Sequence, residues 1–151
     1  MKAVISSLII LITCSTFAQK KILDHSDFDI WNRIQRQTMT SDGNFIMYSL
    51  QKGEKDSQLK IKDKNANLIF EHERSERGQF TYDSKFAVFT IKEWKDSILE
   101  MKRRKVKKNK MPMDTLGIYN LENSALEKFA HIKSYKIPQK WSGFVAYTYD
   151  L

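Results

Sequence analysis

The sequence predicts an all-β protein: a partial β-propeller of two blade-like units and the start of a third, with a short N-terminal helix and a basic loop or helical insertion. Three observations predict it. The stretch Thr40-Ser41-Asp42-Gly43-Asn44-Phe45-Ile46-Met47-Tyr48-Ser49, a polar turn running into four apolar residues, returns 41 residues later from Thr81 to Thr90. It returns again, one residue shorter, from Lys140 to Thr148. An alternating stretch, Leu59-Lys60-Ile61-Lys62, has its counterpart in Leu116-Gly117-Ile118-Tyr119, 57 residues on, so a surplus of 16 residues falls inside an insertion at 92–114. Repeats of about 40 residues that each give several antiparallel strands are the mark of a propeller blade. A helical solenoid of similar period would need helical spacing, which these units lack; a generic β-sandwich is the remaining alternative.

The elements follow in chain order. Residues 1–18 read as a secretory signal peptide. Lys2 supplies a basic start, Val4 to Ile12 an apolar run broken only by Ser6 and Ser7, and Thr16-Phe17-Ala18 the small residues for cleavage near Ala18. The run is shorter than the roughly 20 residues that span a bilayer, so no stable membrane span is expected after cleavage. Cys14, the only cysteine, leaves with this segment, and the mature chain is expected to hold no disulfide. An exported location, periplasmic or secreted, follows from the same residues.

Residues 19–37 are expected to form an N-terminal helical segment. Ser26 stands in an N-cap position with Asp29 three residues on, and Phe28, Trp31 and Ile34 are spaced along one helix side. Residues 38–151 form the incomplete propeller domain. Phe45 to Tyr48 and Phe86 to Phe89 are continuous apolar runs, predicting strands buried on both faces. Gln51 to Ser57 is a hairpin loop, Asp63 to Asn67 a turn, Leu68-Ile69-Phe70 a further strand, and Glu71 to Gly78 a charged connection. After the insertion come the turn Asn120 to Ser124, the strand Leu126 to Phe129, and a third unit opening at Ile132 with a buried strand from Phe144 to Tyr147.

Charge is local. Residues 92–110 hold nine Lys or Arg against three acids, six of the eight net positive charges of the whole chain. Lys102-Arg103-Arg104-Lys105 with Lys107, Lys108 and Lys110 could neutralise phosphates, but no aromatic residue is interleaved to stack on bases, and export removes the chain from nucleic acid. A solvated insertion is expected there, with contact to an acidic surface, of the envelope or a partner domain, as the alternative, and no nucleic-acid partner. His25, His72 and His131 are 47 and 59 residues apart, which matches no metal-ligand spacing. Structural roles are expected for all three, the last two at strand ends. Trp94 and Trp141 are expected to pack in or between blades. No catalytic, cofactor-binding or metal-binding residue is assigned, and no cofactor.

Lys21-Ile22-Leu23-Asp24-His25-Ser26 with Phe28, Asp29 and Trp31, followed by Ser41-Asp42-Gly43 and Tyr48-Ser49, resembles the start of an exported bacterial serine peptidase of the prolyl oligopeptidase family, of the dipeptidyl- or acylaminoacyl-peptidase kind. Phe80 to Lys85 with Ala87-Val88-Phe89 is similar to the family's next blade, and the likeness continues through Met111-Pro112-Met113-Asp114 to Ile118. The resemblance implies an N-terminal propeller covering a C-terminal α/β-hydrolase domain, and peptide substrates screened by the propeller. It implies Ser, Asp and His in that hydrolase domain, in that chain order. This sequence holds no Gly-x-Ser-x-Gly. Closed propellers have typically about four to eight blades. The expectation is therefore an N-terminal piece of such a peptidase, non-catalytic by itself. The alternative is an exported propeller-like interaction protein that oligomerises.

Overall fold

The computed structural model describes Asp24, Asp27 and residues 31–149. The signal-peptide reading, Cys14, His25 and most of the expected N-terminal helix lie outside the described residues. Within them the chain forms two antiparallel sheets in which strands pair in sequence order. The first sheet holds β1 (Asn32–Met39), β2 (Phe45–Lys52), β3 (Ser57–Asp63) and β4 (Leu68–Glu73). The second holds β5 (Ser75–Phe80), β6 (Phe86–Ile91), β7 (Asp114–Asn120), β8 (Leu126–Lys136) and β9 (Ala146–Tyr149). A single helix, α1 (Lys95–Arg103), and a 3-10 turn at Lys108–Lys110 occupy the β6–β7 connection. Two meanders of this kind, packed face to face, are successive blades of a propeller-like all-β fold.

The sequence repeat has a physical counterpart in the hairpin turns. Thr40 and Thr81 are buried, and each hydroxyl accepts the N–H of the phenylalanine that starts the next strand, Phe45 at 3.0 Å and Phe86 at 3.1 Å. The aspartate two residues on completes each turn: Thr81 donates to Asp83 Oδ1 at 2.6 Å. Thr40 and Asn44 hold the Asp42 carboxyl below its ordinary range. The same turn position is left-handed in both units, Gly43 at φ 73° and Ser84 at φ 58°, the conformation that favours glycine. At the β3–β4 turn Asp63 accepts the N–H groups of Asn65 and Asn67, both at 2.8 Å.

The main core lies between the sheets. Met47, Leu59 and Ile61 from the first meet Ala87, Phe89, Ile91 and Tyr119 from the second. Burying each large side chain of this kind contributes about 1.5–3 kcal/mol. A second core, Val88, Leu116 and Ile132, covers the opposite face of the second sheet and is closed over by Tyr135, Ile137 and Val145. Two glycines permit close approach. A Cβ at Gly78 would stand 2.5 Å from the sulfur of Met47, so β5 can cross the first sheet; one at Gly117 would stand 2.6 Å from the ring of Phe89.

Several expectations are corrected. β1 begins at Asn32, so the helix expected through Ile34 does not extend that far, and the domain boundary expected at 38 falls inside a strand. The charged connection of Glu71 to Gly78 is the end of β4 and most of β5; its charges sit on these two edge strands, one in each sheet, and on the joint between them, where charge is compatible with pairing. The strand from Phe86 is buried on both faces, whereas the strand from Phe45 alternates, with Met47 and Ser49 buried and Ile46 43 % exposed. The strand expected from Phe144 is β9, which starts at Ala146, is exposed along its length and pairs with β8 at the edge of the second sheet. Both differences have one cause: among the described residues no further sheet covers the outer faces of β2 and β9.

Candidate functional site

Three polar clusters stand out from the framework. The first is a groove of about 230 Å³ on the second sheet, between the bulge of β5 and the bend of β8. β1 and β5 each carry a register shift, between Gln35 and Thr38 and between Glu76 and Gln79, positions related by the 41-residue repeat. Inside each shift sits an arginine in the left-handed region, Arg36 at φ 48° and Arg77 at φ 58°. A bulge re-aims the side chain at its extra residue, and both arginines line the groove together with Lys133, Asp114, Thr115 and Tyr135. The Tyr135 hydroxyl donates to the backbone carbonyl of Arg77. Burial pushes its phenol pKa up, while a hydrogen bond with Thr90 and the charges of Arg77 and Arg36 pull it back. The carboxylate of the groove is committed elsewhere, since Asp114 pairs with Lys92 at 2.6 Å.

The second cluster joins the sheets. His72 Nδ1 lies 2.7 Å from the Glu73 carbonyl and 2.8 Å from Ser75 Oγ, and Lys128 Nζ of β8 lies 3.1 Å from His72 Nε2. An ammonium has no lone pair, so it donates to Nε2, and the proton of the neutral ring sits on Nδ1. Burial, chiefly, holds the His72 pKa below its ordinary value, with Lys128 and Arg74 acting in the same direction. Ser75 beside it is fully buried and donates to the Glu73 carbonyl. No substrate reaches that hydroxyl, so the pair is a structural joint and not a nucleophile with its base.

The third is the basic insertion. Glu100 pairs with Arg104 at 2.8 Å and Arg103 at 3.9 Å, the ordinary spacing along a helix face. The helix start is anchored to the β2–β3 loop, where the Lys95 N–H donates to Asp56 at 3.2 Å and its ammonium to the Glu54 carbonyl at 3.1 Å. Arg74, at the β4–β5 joint, lies 4.5 Å over the ring of Trp94. Lys102, Arg103, Arg104, Lys105, Lys107, Lys108 and Lys110 are all exposed.

Of the histidines read from the sequence, His72 sits one residue from the end of β4, while His131 lies inside β8, at a left-handed residue where the strand bends. Trp141 does not pack between blades; it is 72 % exposed. Among the described residues no group of His, Cys, Asp and Glu could hold a metal ion. Sequence reasoning missed Arg36 and Arg77. The signal was present, because each stands four residues before the repeated threonine, in Gln35-Arg36-Gln37 and Glu76-Arg77-Gly78.

Comparison with known proteins adds one finding. No protein-family profile matches the chain, and no curated protein matches it by sequence. Among solved structures it is similar to the acylaminoacyl peptidase of Pyrococcus horikoshii, with a TM-score of 0.52 at 13 % identity over 78 % of this chain. The chain spans 17 % of the length of that protein. At this identity the likeness is one of fold: these two sheets are arranged as a portion of a peptidase is arranged.

Proposed function

We propose that this chain is the N-terminal propeller segment of an exported serine peptidase of the prolyl oligopeptidase kind, non-catalytic by itself and screening peptide access to a hydrolase domain. One observation carries the reading. Shifting by the 41-residue repeat maps Ile46, Tyr48 and Leu50 onto Ala87, Phe89 and Ile91. The latter three are buried against the first sheet, whereas the former three form the outer face of that sheet. Among the described residues no further sheet covers that face, the counterpart of one that the molecule already buries, which is how a stack of blades continues. The fold likeness to a peptidase supports the same reading. The signal-peptide pattern in residues 1–18 supports export.

The test is activity-based labelling. The purified chain, incubated with a fluorophosphonate that modifies activated serines, is expected to stay unlabelled and to leave prolyl and acyl-aminoacyl peptide substrates intact. The encoding DNA past Leu151 is expected to continue into further blades and a Gly-x-Ser-x-Gly. Labelling of this chain overturns its non-catalytic role. A stop codon followed by an unrelated gene overturns the peptidase segment in favour of a self-standing exported interaction protein.

A further inference from the structure

We propose that the groove between Arg36, Arg77 and Lys133 is an oxyanion-binding site that takes the free carboxylate of a short peptide. That an oxyanion binds there follows from the groove alone; that its source is a peptide rests on the function proposed above.

The groove is rich in donors. Arg36 comes from β1, Arg77 from β5 and Lys133 from β8, so cations from three strands in two sheets converge on one space of about 230 Å³. The walls between them include Gln79, Thr115, Ser134 and Tyr135, of which the Tyr135 hydroxyl is already bonded to the Arg77 carbonyl and Ser134 to Thr148. Among the described residues no carboxylate pairs with Arg36 or Lys133. Arg77 meets Glu76 through Nε at 3.7 Å, which leaves its terminal nitrogens to a ligand. Glu76 is also shared with Lys92 at 3.6 Å, and Asp114 is neutralised by the same lysine. The local balance therefore stays positive.

Both arginines are displayed at a cost. A non-glycine residue in the left-handed region is strained, and such strain persists where the surrounding structure over-determines it, often at ligand sites. Here it recurs at repeat-equivalent bulges, and on β5 the bulge is pinned by the Tyr135 hydroxyl bonded to the Arg77 carbonyl. Both arginines and Tyr135 line the same groove. Guanidinium forks match the planar oxygens of a carboxylate, and also those of a phosphate. A groove of this size holds a carboxylate with one or two adjoining residues and not a folded polymer.

The full chain is titrated calorimetrically at near-physiological salt with an N-acetylated dipeptide acid, its C-terminal amide, and inorganic phosphate. The expected result is saturable binding of the acid, weaker by about tenfold or more for the amide and in Arg36→Gln or Arg77→Gln, since each variant loses a charge-assisted pair. Lys133→Gln, at an exposed position where folding is not at stake, weakens binding in the same direction. Replacing Lys102, Arg103 and Arg104 by Gln leaves the affinity within about twofold, because these exposed side chains do not line the groove and their charge is screened by salt. Far-UV circular dichroism accompanies each variant.

Saturable binding of phosphate but not of the acid supports the oxyanion site and overturns the peptide source. Acid binding that the groove variants leave unchanged, or that the basic-helix variant abolishes, overturns the site. So does failure of both anions to bind. Failure of the peptidase reading shows instead in the labelling and DNA results, which do not depend on this groove.

Discussion

Gly117 faces Phe89 across the β6–β7 ladder, and the aromatic ring occupies the space a side chain would need. Phe89 is fully buried and also packs against Phe70, 5.7 Å away between ring centres, so the ring has little room to retreat. Gly117→Ala is expected to destabilise the fold by about 1–3 kcal/mol, the range for overpacking a well-filled core. Equilibrium urea denaturation reads it directly, as a lower midpoint. The sequence alone showed Gly117 only as the counterpart of Lys60 in an alternating strand. That it is a receptor for a ring depends on which residue of β6 lies opposite, and register is not written in local pattern. Arg36 and Arg77 were equally silent, since their spacing is visible but their convergence on a groove needs β1, β5 and β8 to be brought together.

At the level of elements, the hairpin turn is what the sequence described best. Threonine, aspartate and the first strand phenylalanine recur at fixed offsets because each supplies one bond of the same turn. Thr81→Val keeps the shape but leaves the Phe86 N–H without its acceptor. A loss of about 1–3 kcal/mol is expected, with faster hydrogen exchange at Phe86 as the site-specific readout. The third copy has Lys140 where the others have threonine and is one residue shorter; its strand starts later and is exposed. The insertion at 92–114 was legible as surplus length, and its charge pattern suited either a loop or a helix. Anchoring of its first turn to Asp56 and Glu54 is a tertiary matter. β5 was misread because a sequence of charged residues suggests solvent. An edge strand can carry such charges while Ser75 and Gly78 face inward.

For the whole molecule, the joint between the sheets should respond to pH. His72 of the first sheet accepts from Lys128 of the second only while its ring is neutral. Its folded pKa lies below the ordinary 6.5, so stability is complete above that value. As pH falls through 6.5 the unfolded chain takes up a proton that the folded chain resists, and stability declines until the folded pKa is passed. Thermal melts between pH 8 and pH 5 are expected to show a falling midpoint whose slope is reduced in His72→Gln. An equal slope in that variant assigns the acid sensitivity to other groups.

The sequence by itself determined the repeat, the all-β class, the hairpin turns and the length and charge of the insertion. These depend on residues near one another in the chain: turn bonds, strand alternation and spacing. Tertiary structure decided which apolar strands are buried on both faces, because burial of the second face requires a neighbouring sheet. It also decided where the cations gather. Lys102 to Lys110 dominate the sequence and end as a solvated run, whereas Arg36, Arg77 and Lys133, far apart in the chain, meet in one groove because bulges and a bent strand turn them toward it.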